Sequence, residues 1–237
     1  MGAKIKIGTK MKMKMNFRMI KEKLGWIGVL TVVAITLDLW VLSKADISLI
    51  FSSELRSFGQ VAGLLGAIFL SINYILASRP GFLGPFFGGL DKMIKAKRLL
   101  AAFGTLAICF HPIFFALASE SSDGVLRYFF PSSNIPYALG VFALYIYLAI
   151  IIRSFYLKLS HGFWERSENL TGIFLILFAF HIFYIPSDTY SYLPLRAWVL
   201  GLVGFGALAY IYELGFHFRF FWTRIFHFIH LKVFQKL

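Results

Sequence analysis

Six stretches of about 20 mostly apolar residues follow one another along this chain, and a helix of that length crosses the roughly 30 Å hydrocarbon core of a bilayer. They cover residues 26–43, 58–78, 99–118, 135–157, 170–186 and 197–214. Short polar breaks such as Arg79-Pro80-Gly81 and Ser187-Asp188-Thr189 separate them and read as turns. With 59% of its 237 residues hydrophobic and 15% charged, the chain has too little polar material to cover a soluble globule. Its net charge of +13 therefore does not indicate a nucleic-acid partner, which would need a basic face on a soluble fold. One cysteine, Cys109, excludes an internal disulfide framework and Cys-rich zinc or iron–sulfur sites. The expected fold is an all-α membrane protein, a six-transmembrane-helix bundle in the lipid bilayer.

Lysine and arginine accumulate in cytoplasmic loops, so their distribution sets the orientation. Twenty fall in the N-terminal stretch, the segments 79–98 and 153–166 and the C-terminal tail; four, Lys44, Arg56, Arg127 and Arg196, fall on the other side. Both termini are expected in the cytoplasm, with the plasma membrane as the location. The first apolar run is longer than a signal core and lacks a small-x-small cleavage site, so it reads as an uncleaved span. Three parts result: a basic arm over residues 1–24, expected to be a flexible segment near anionic lipid, the six-helix domain over 25–214, and an amphipathic tail over 215–237. In that tail Arg219, Thr223, His227 and His230 form a polar stripe on an aromatic helix, as expected of a short helix in the inner interface.

Ionisable groups at membrane depth are costly and mark function. Asp38, His111 and His181 qualify. His111 lies 13 residues beyond Arg98 and His181 lies 12 beyond Asn169, which places both about 18–20 Å from the inner ends of two spans running in the same direction. Two neutral imidazoles at one level either ligate a haem iron from opposite faces or hydrogen-bond groups on neighbouring helices.

The segments Leu76-Ala77-Ser78-Arg79-Pro80, Phe87-Gly88-Gly89-Leu90-Asp91-Lys92, Lys97-Arg98-Leu99-Leu100 and Cys109-Phe110-His111-Pro112 resemble the ferric-reductase-like transmembrane family, the membrane half of ferric reductases and NADPH oxidases. They are also similar to the haem-bearing membrane subunit of the periplasmic methionine sulfoxide reductase system. The resemblance implies paired histidines on spans three and five, 14 and 13 residues apart, holding an inner and an outer b-type haem. Here the outer pair is His111 and His181, whereas the inner positions carry Lys97 and Glu168. Protonated lysine has no lone pair for iron and glutamate is a poor substitute for imidazole. The expectation is therefore one haem b, ligated by His111 and His181, with Lys97 and Glu168 as an ion pair at the vacated level.

Arg127 and Arg196 are the candidates for pairing with haem propionates. Asp38 should face the bundle interior, pair, or be protonated. The resembling reductases continue into a flavin and nicotinamide domain, but no G-x-G-x-x-G opening a βαβ unit follows here. A membrane electron-transfer subunit with a separate donor or acceptor follows, with a flavin or quinone at the vacated inner site as one route for electrons. The other routes are exchange with an outer-side partner alone and loss of redox function. The rival reading is a haem-free scaffold or small-solute transporter with Asp38, Lys97 and Glu168 as its polar path.

Overall fold

In hydrocarbon every backbone N–H and C=O must be satisfied within its own segment, so apolar runs of this length become helices. The computed structural model describes the backbone of residues 2–121, 125–156 and 161–234, and the side chains of residues 22–121, 125–152, 171–187 and 190–215. Among the described residues the chain is all-helical: α1 (Gly2–Leu42), α2 (Ser48–Ser52), α3 (Glu54–Ala77), a 3-10 turn (Gly84–Phe87), α4 (Leu90–Leu117), α5 (Ile135–Tyr156), α6 (His161–Tyr184), α7 (Asp188–Ser191) and α8 (Leu193–Phe234). Five segments are long and apolar enough to cross a membrane: Glu22–Leu42, Glu54–Ala77, Leu90–Leu117, Ile135–Ile152 and Leu193–Gly215. A shorter apolar helix, Thr171–Tyr184, occupies the expected fifth position.

The breaks have local causes. α3 stops before Arg79-Pro80, because proline cannot continue a helix and its predecessor is pushed out of the helical region. Gly88 and Gly89, with φ of +81° and +116°, turn the chain from the 3-10 segment into α4. Two ends differ from expectation. α1 is helical from Gly2, since the lysine, methionine and isoleucine of the basic arm are adequate helix formers and no proline interrupts them. α8 runs through Gly215 to Phe234 as one helix of 42 residues, so the tail backbone continues the last span directly. The polar stripe of Arg219, Thr223, His227 and His230 lies outside the described side chains.

α3 lies against both α4 and α8, α5 pairs with α6, and α1 closes the bundle against α3 and α8. The main core gathers Trp40, Leu64, Ala67, Leu70, Ile108, Tyr147, Phe174, Phe178, Leu195 and Val199. A smaller cluster of Val29, Leu76, Phe87, Met93, Ala96 and Leu100 closes the arm-side end. Large apolar side chains such as Leu30, Phe103, Leu106, Phe142, Phe205 and Leu208 point outward, where lipid takes the place water has around a soluble protein.

Two side-chain bonds fix how α1 is turned. Thr36, fully buried, gives its hydroxyl to the Val32 carbonyl at 2.8 Å and accepts the Trp198 indole N–H at 2.8 Å. One turn further, the Trp40 indole donates to Gln60 Oε1 at 3.2 Å.

Candidate functional site

His111 comes from the C-terminal third of α4 and His181 from the last turn of α6, and the packing brings their rings to 6.5 Å between centroids with planes inclined at 79°. Each ring is held by the neighbouring helix. His111 Nδ1 lies 2.7 Å from the Gly59 carbonyl on α3, and His181 Nδ1 lies 2.8 Å from the Pro136 carbonyl on α5. A carbonyl oxygen can only accept, so in both rings Nδ1 carries the proton and Nε2 keeps its lone pair. Both histidines are thus set in the tautomer a metal-ligating imidazole needs, with the far nitrogen tied to a backbone acceptor.

The same device is built twice. Four residues beyond each accepting carbonyl stands a glycine: Gly63 after Gly59, and Gly140 after Pro136. A Cβ on Gly63 would lie 2.5 Å from His111 Nδ1, and one on Gly140 would lie 2.7 Å from His181 Nδ1 and Cε1. Only glycine leaves room for an imidazole laid flat against the next turn of the helix. The hairpins α3–α4 and α5–α6 therefore present equivalent histidines to one another.

A single cavity runs between them, lined by residues of α1, α3, α4, α5, α6 and α8, with about 1330 Å³ of atom-free space, part of it open to the surroundings. Its walls are mostly apolar: Leu64, Ile108, Pro112, Phe115, Val141, Leu144, Phe174 and Phe178. Polar groups collect on the side of Arg56, Gln60, Arg127, Tyr128, Tyr137 and Ser187. Among the described residues no carboxylate lines it, and two arginines do. Ser187 Oγ is buried there without a hydrogen-bond partner. Further along α6 the space is closed by rings: Phe178 stacks on Phe174 at 5.3 Å, Phe174 on Tyr147 at 4.9 Å, and Tyr147 Oη meets Thr105 Oγ1 at 2.6 Å.

The ring separation can be compared with what a shared metal ion would require. Two metal–imidazole bonds of about 2.0–2.1 Å, plus about 1.1 Å from each nitrogen to its ring centre, require centroids about 6.2–6.4 Å apart. The observed centroid separation of 6.5 Å lies close to that value. Among the described residues no three His, Cys, Asp or Glu side chains come together as a metal cluster. A pair of histidines is a donor set that a macrocycle bringing its own four nitrogens would accept.

The other sequence candidates are placed differently. Arg127 lines the cavity, its guanidinium 5.3 Å from the ring centres of both Tyr128 and Tyr137. Arg196 does not; it lies over Phe183 and Tyr190, at 4.5 and 4.7 Å. Arg56, which sequence reasoning passed over, takes the second position in the wall. A signal existed, since Arg56, Gln60, Gly63 and Ala67 recur at helical spacing on one face of α3. Of the alternatives for Asp38, the interior position is not the one observed: it is exposed on the outer side of α1, and no described group hydrogen-bonds or pairs with it. The physical reason is the Thr36–Trp198 bond, which turns Thr36 inward and Asp38, about 200° around the helix, outward. Lys97 is half-buried on α4, while the Glu168 side chain lies outside the described residues, and with it the expected pair.

Residues 62–179 match the family described as the ferric reductase like transmembrane component. No curated protein and no solved structure matches the chain.

Proposed function

From a chain that belongs to the ferric-reductase-like transmembrane family over residues 62–179, we propose a membrane cytochrome b subunit that carries one haem and exchanges electrons with a separate redox protein. The observation that carries this reading is the pair of imidazoles at 6.5 Å, each with Nδ1 held by a carbonyl and Nε2 left as the ligating nitrogen. A bound haem would supply reversible one-electron exchange at its iron.

The chain's own residues account for the rest. The Nδ1–H bonds to Gly59 and Pro136 fix each ring's rotation and raise the basicity of Nε2. Ile108, Val141, Phe174 and Phe178 keep water from the ligating nitrogens, and a dry surround is one of the protein's levers on potential. Arg56 and Arg127 supply the positive charge that two propionates would need.

In this reading all six apolar helices cross the plasma membrane, α6 included, and the Lys/Arg distribution puts both termini in the cytoplasm. The histidines then lie in the outer half of the bilayer, and Lys97 and Glu168 near its inner boundary. The described residues are all-helical and hold no βαβ nucleotide-binding unit, and in this reading a separate redox protein is the electron donor or acceptor.

The test is a dithionite-reduced minus oxidised absorption spectrum of the purified protein with a haem-to-protein assay. A low-spin, six-coordinate spectrum at one haem per chain is expected. No haem would point to a scaffold or solute carrier, and two per chain would mean that the Lys97 and Glu168 level still binds one.

The arginines give a second measurement. Nearby positive charge favours the reduced iron, so Arg56→Gln and Arg127→Gln should each lower the midpoint potential by about 30–60 mV, a few-fold to tenfold in a one-electron equilibrium. Arg196→Gln, which changes a residue outside the cavity, should leave it unchanged in a redox titration.

A further inference from the structure

Asp38 stands four residues before the end of α1, about 6 Å inside the apolar segment. Its side chain is short and cannot reach the interface as a lysine or arginine would. It faces away from the bundle, because Val29, Thr36 and Trp40 are buried on the other side and both Thr36 and Trp40 are hydrogen-bonded to neighbouring helices. Among the described residues nothing satisfies its carboxylate. A carboxylate in lipid is costly enough that such groups nearly always meet a partner. On the same face Gly28, Thr31 and Ala34 are exposed, and small side chains let a second helix approach closely.

We infer that this face of α1 docks a transmembrane helix of a different membrane protein, one that presents a lysine, arginine or histidine at the depth of Asp38. Charge complementarity sets the chemistry of the partner. A second copy of this chain does not fit. A twofold contact between α1 helices would set Asp38 against Asp38. Three of the four outer-side basic residues are also already engaged within the chain: Lys44 with Gln60 at 2.5 Å, Arg127 between two tyrosines, and Arg196 on Phe183 and Tyr190, while Arg56 lines the cavity. The inference does not depend on haem; it assigns a docking surface to the side of the bundle that α1 covers.

The test places the donor-labelled full chain in phosphatidylcholine vesicles with an acceptor-labelled leucine–alanine helix carrying one lysine about four residues from its outer end. An all-apolar helix of equal length is the comparison. The lysine helix should reach the same energy transfer at about tenfold lower peptide-to-lipid ratio, the size expected of one interhelical polar contact. Asp38→Leu should abolish that preference. Asp38→Asn, which keeps the side-chain shape and removes the charge, should weaken it and serves where the leucine variant does not fold. Equal transfer to both peptides, or a preference that survives Asp38→Leu, would overturn the assignment. So would energy transfer between two labelled copies of the chain that Asp38→Leu removes, since that would make the occupant a second copy.

Discussion

Replacing either His111 or His181 by alanine is expected to abolish the six-coordinate spectrum and to lower retained haem by more than about tenfold, the scale on which lost metal-site contacts weaken binding. Among the described residues each ring is the sole imidazole its hairpin contributes to the cavity, so no described neighbour covers the loss. Alanine also leaves the Gly59 or Pro136 carbonyl without its side-chain donor. That carbonyl still accepts from its own helix, so the fold should survive. Both variants should therefore elute from a sizing column as the parent does while losing the low-spin bands. A histidine variant that kept a parent-like spectrum would remove that histidine from the ligand set.

The second large effect concerns two residues that carry no chemistry of their own. Gly63→Ala and Gly140→Ala are each expected to displace one imidazole, because the new methyl carbon would start 2.5 Å from His111 Nδ1 or 2.7 Å from His181 Nδ1. Neither contact can be tolerated, and in both cases the atoms in the way belong to the imidazole itself. The ring must move, its bond to the carbonyl lengthens, and Nε2 swings off the line between the two histidines. A fall of about 10- to 100-fold in haem affinity, or a high-spin spectrum, is the expected result. Gly201→Ala and Gly204→Ala are the controls, because a Cβ at either meets nothing within 4 Å. In a helix interior alanine is favoured over glycine by about 0.8–1.0 kcal/mol, so the controls should be neutral or more stable. The opposite signs separate loss of the site from loss of the fold. A parent-like spectrum in Gly63→Ala would show that His111 does not need the position that glycine leaves open.

Much of the architecture could be read without coordinates. The six apolar runs predicted where helices lie, and Thr171–Tyr184 stands where the fifth was expected. Counting 13 residues from Arg98 and 12 from Asn169 put the two histidines at one depth, and the rings do lie side by side. What counting could not supply is which backbone atoms hold those rings. The Gly59 and Pro136 carbonyls are 52 and 45 residues away from the histidines they orient, and nothing in a carbonyl's sequence position marks it as an acceptor. Gly63 and Gly140 looked like any helical glycine until the neighbouring helix was in place.

Depth was legible because it is arithmetic: 1.5 Å per residue along a helix that lipid obliges to form. Rotation was not. In water an apolar stripe shows which side of a helix faces inward, but lipid is as apolar as a leucine-lined interior, so the same stripe carries little information here. Which side of α3 takes Arg56 into the cavity, which side of α8 leaves Arg196 stacked on aromatic rings, and which side of α1 turns Asp38 to lipid were decided by packing contacts such as Thr36 with Trp198. The amino-acid order by itself determined where the helices run and how far along its helix each residue sits; the tertiary structure alone decided their azimuth, because only a specific contact with another helix breaks the symmetry of a cylinder in oil.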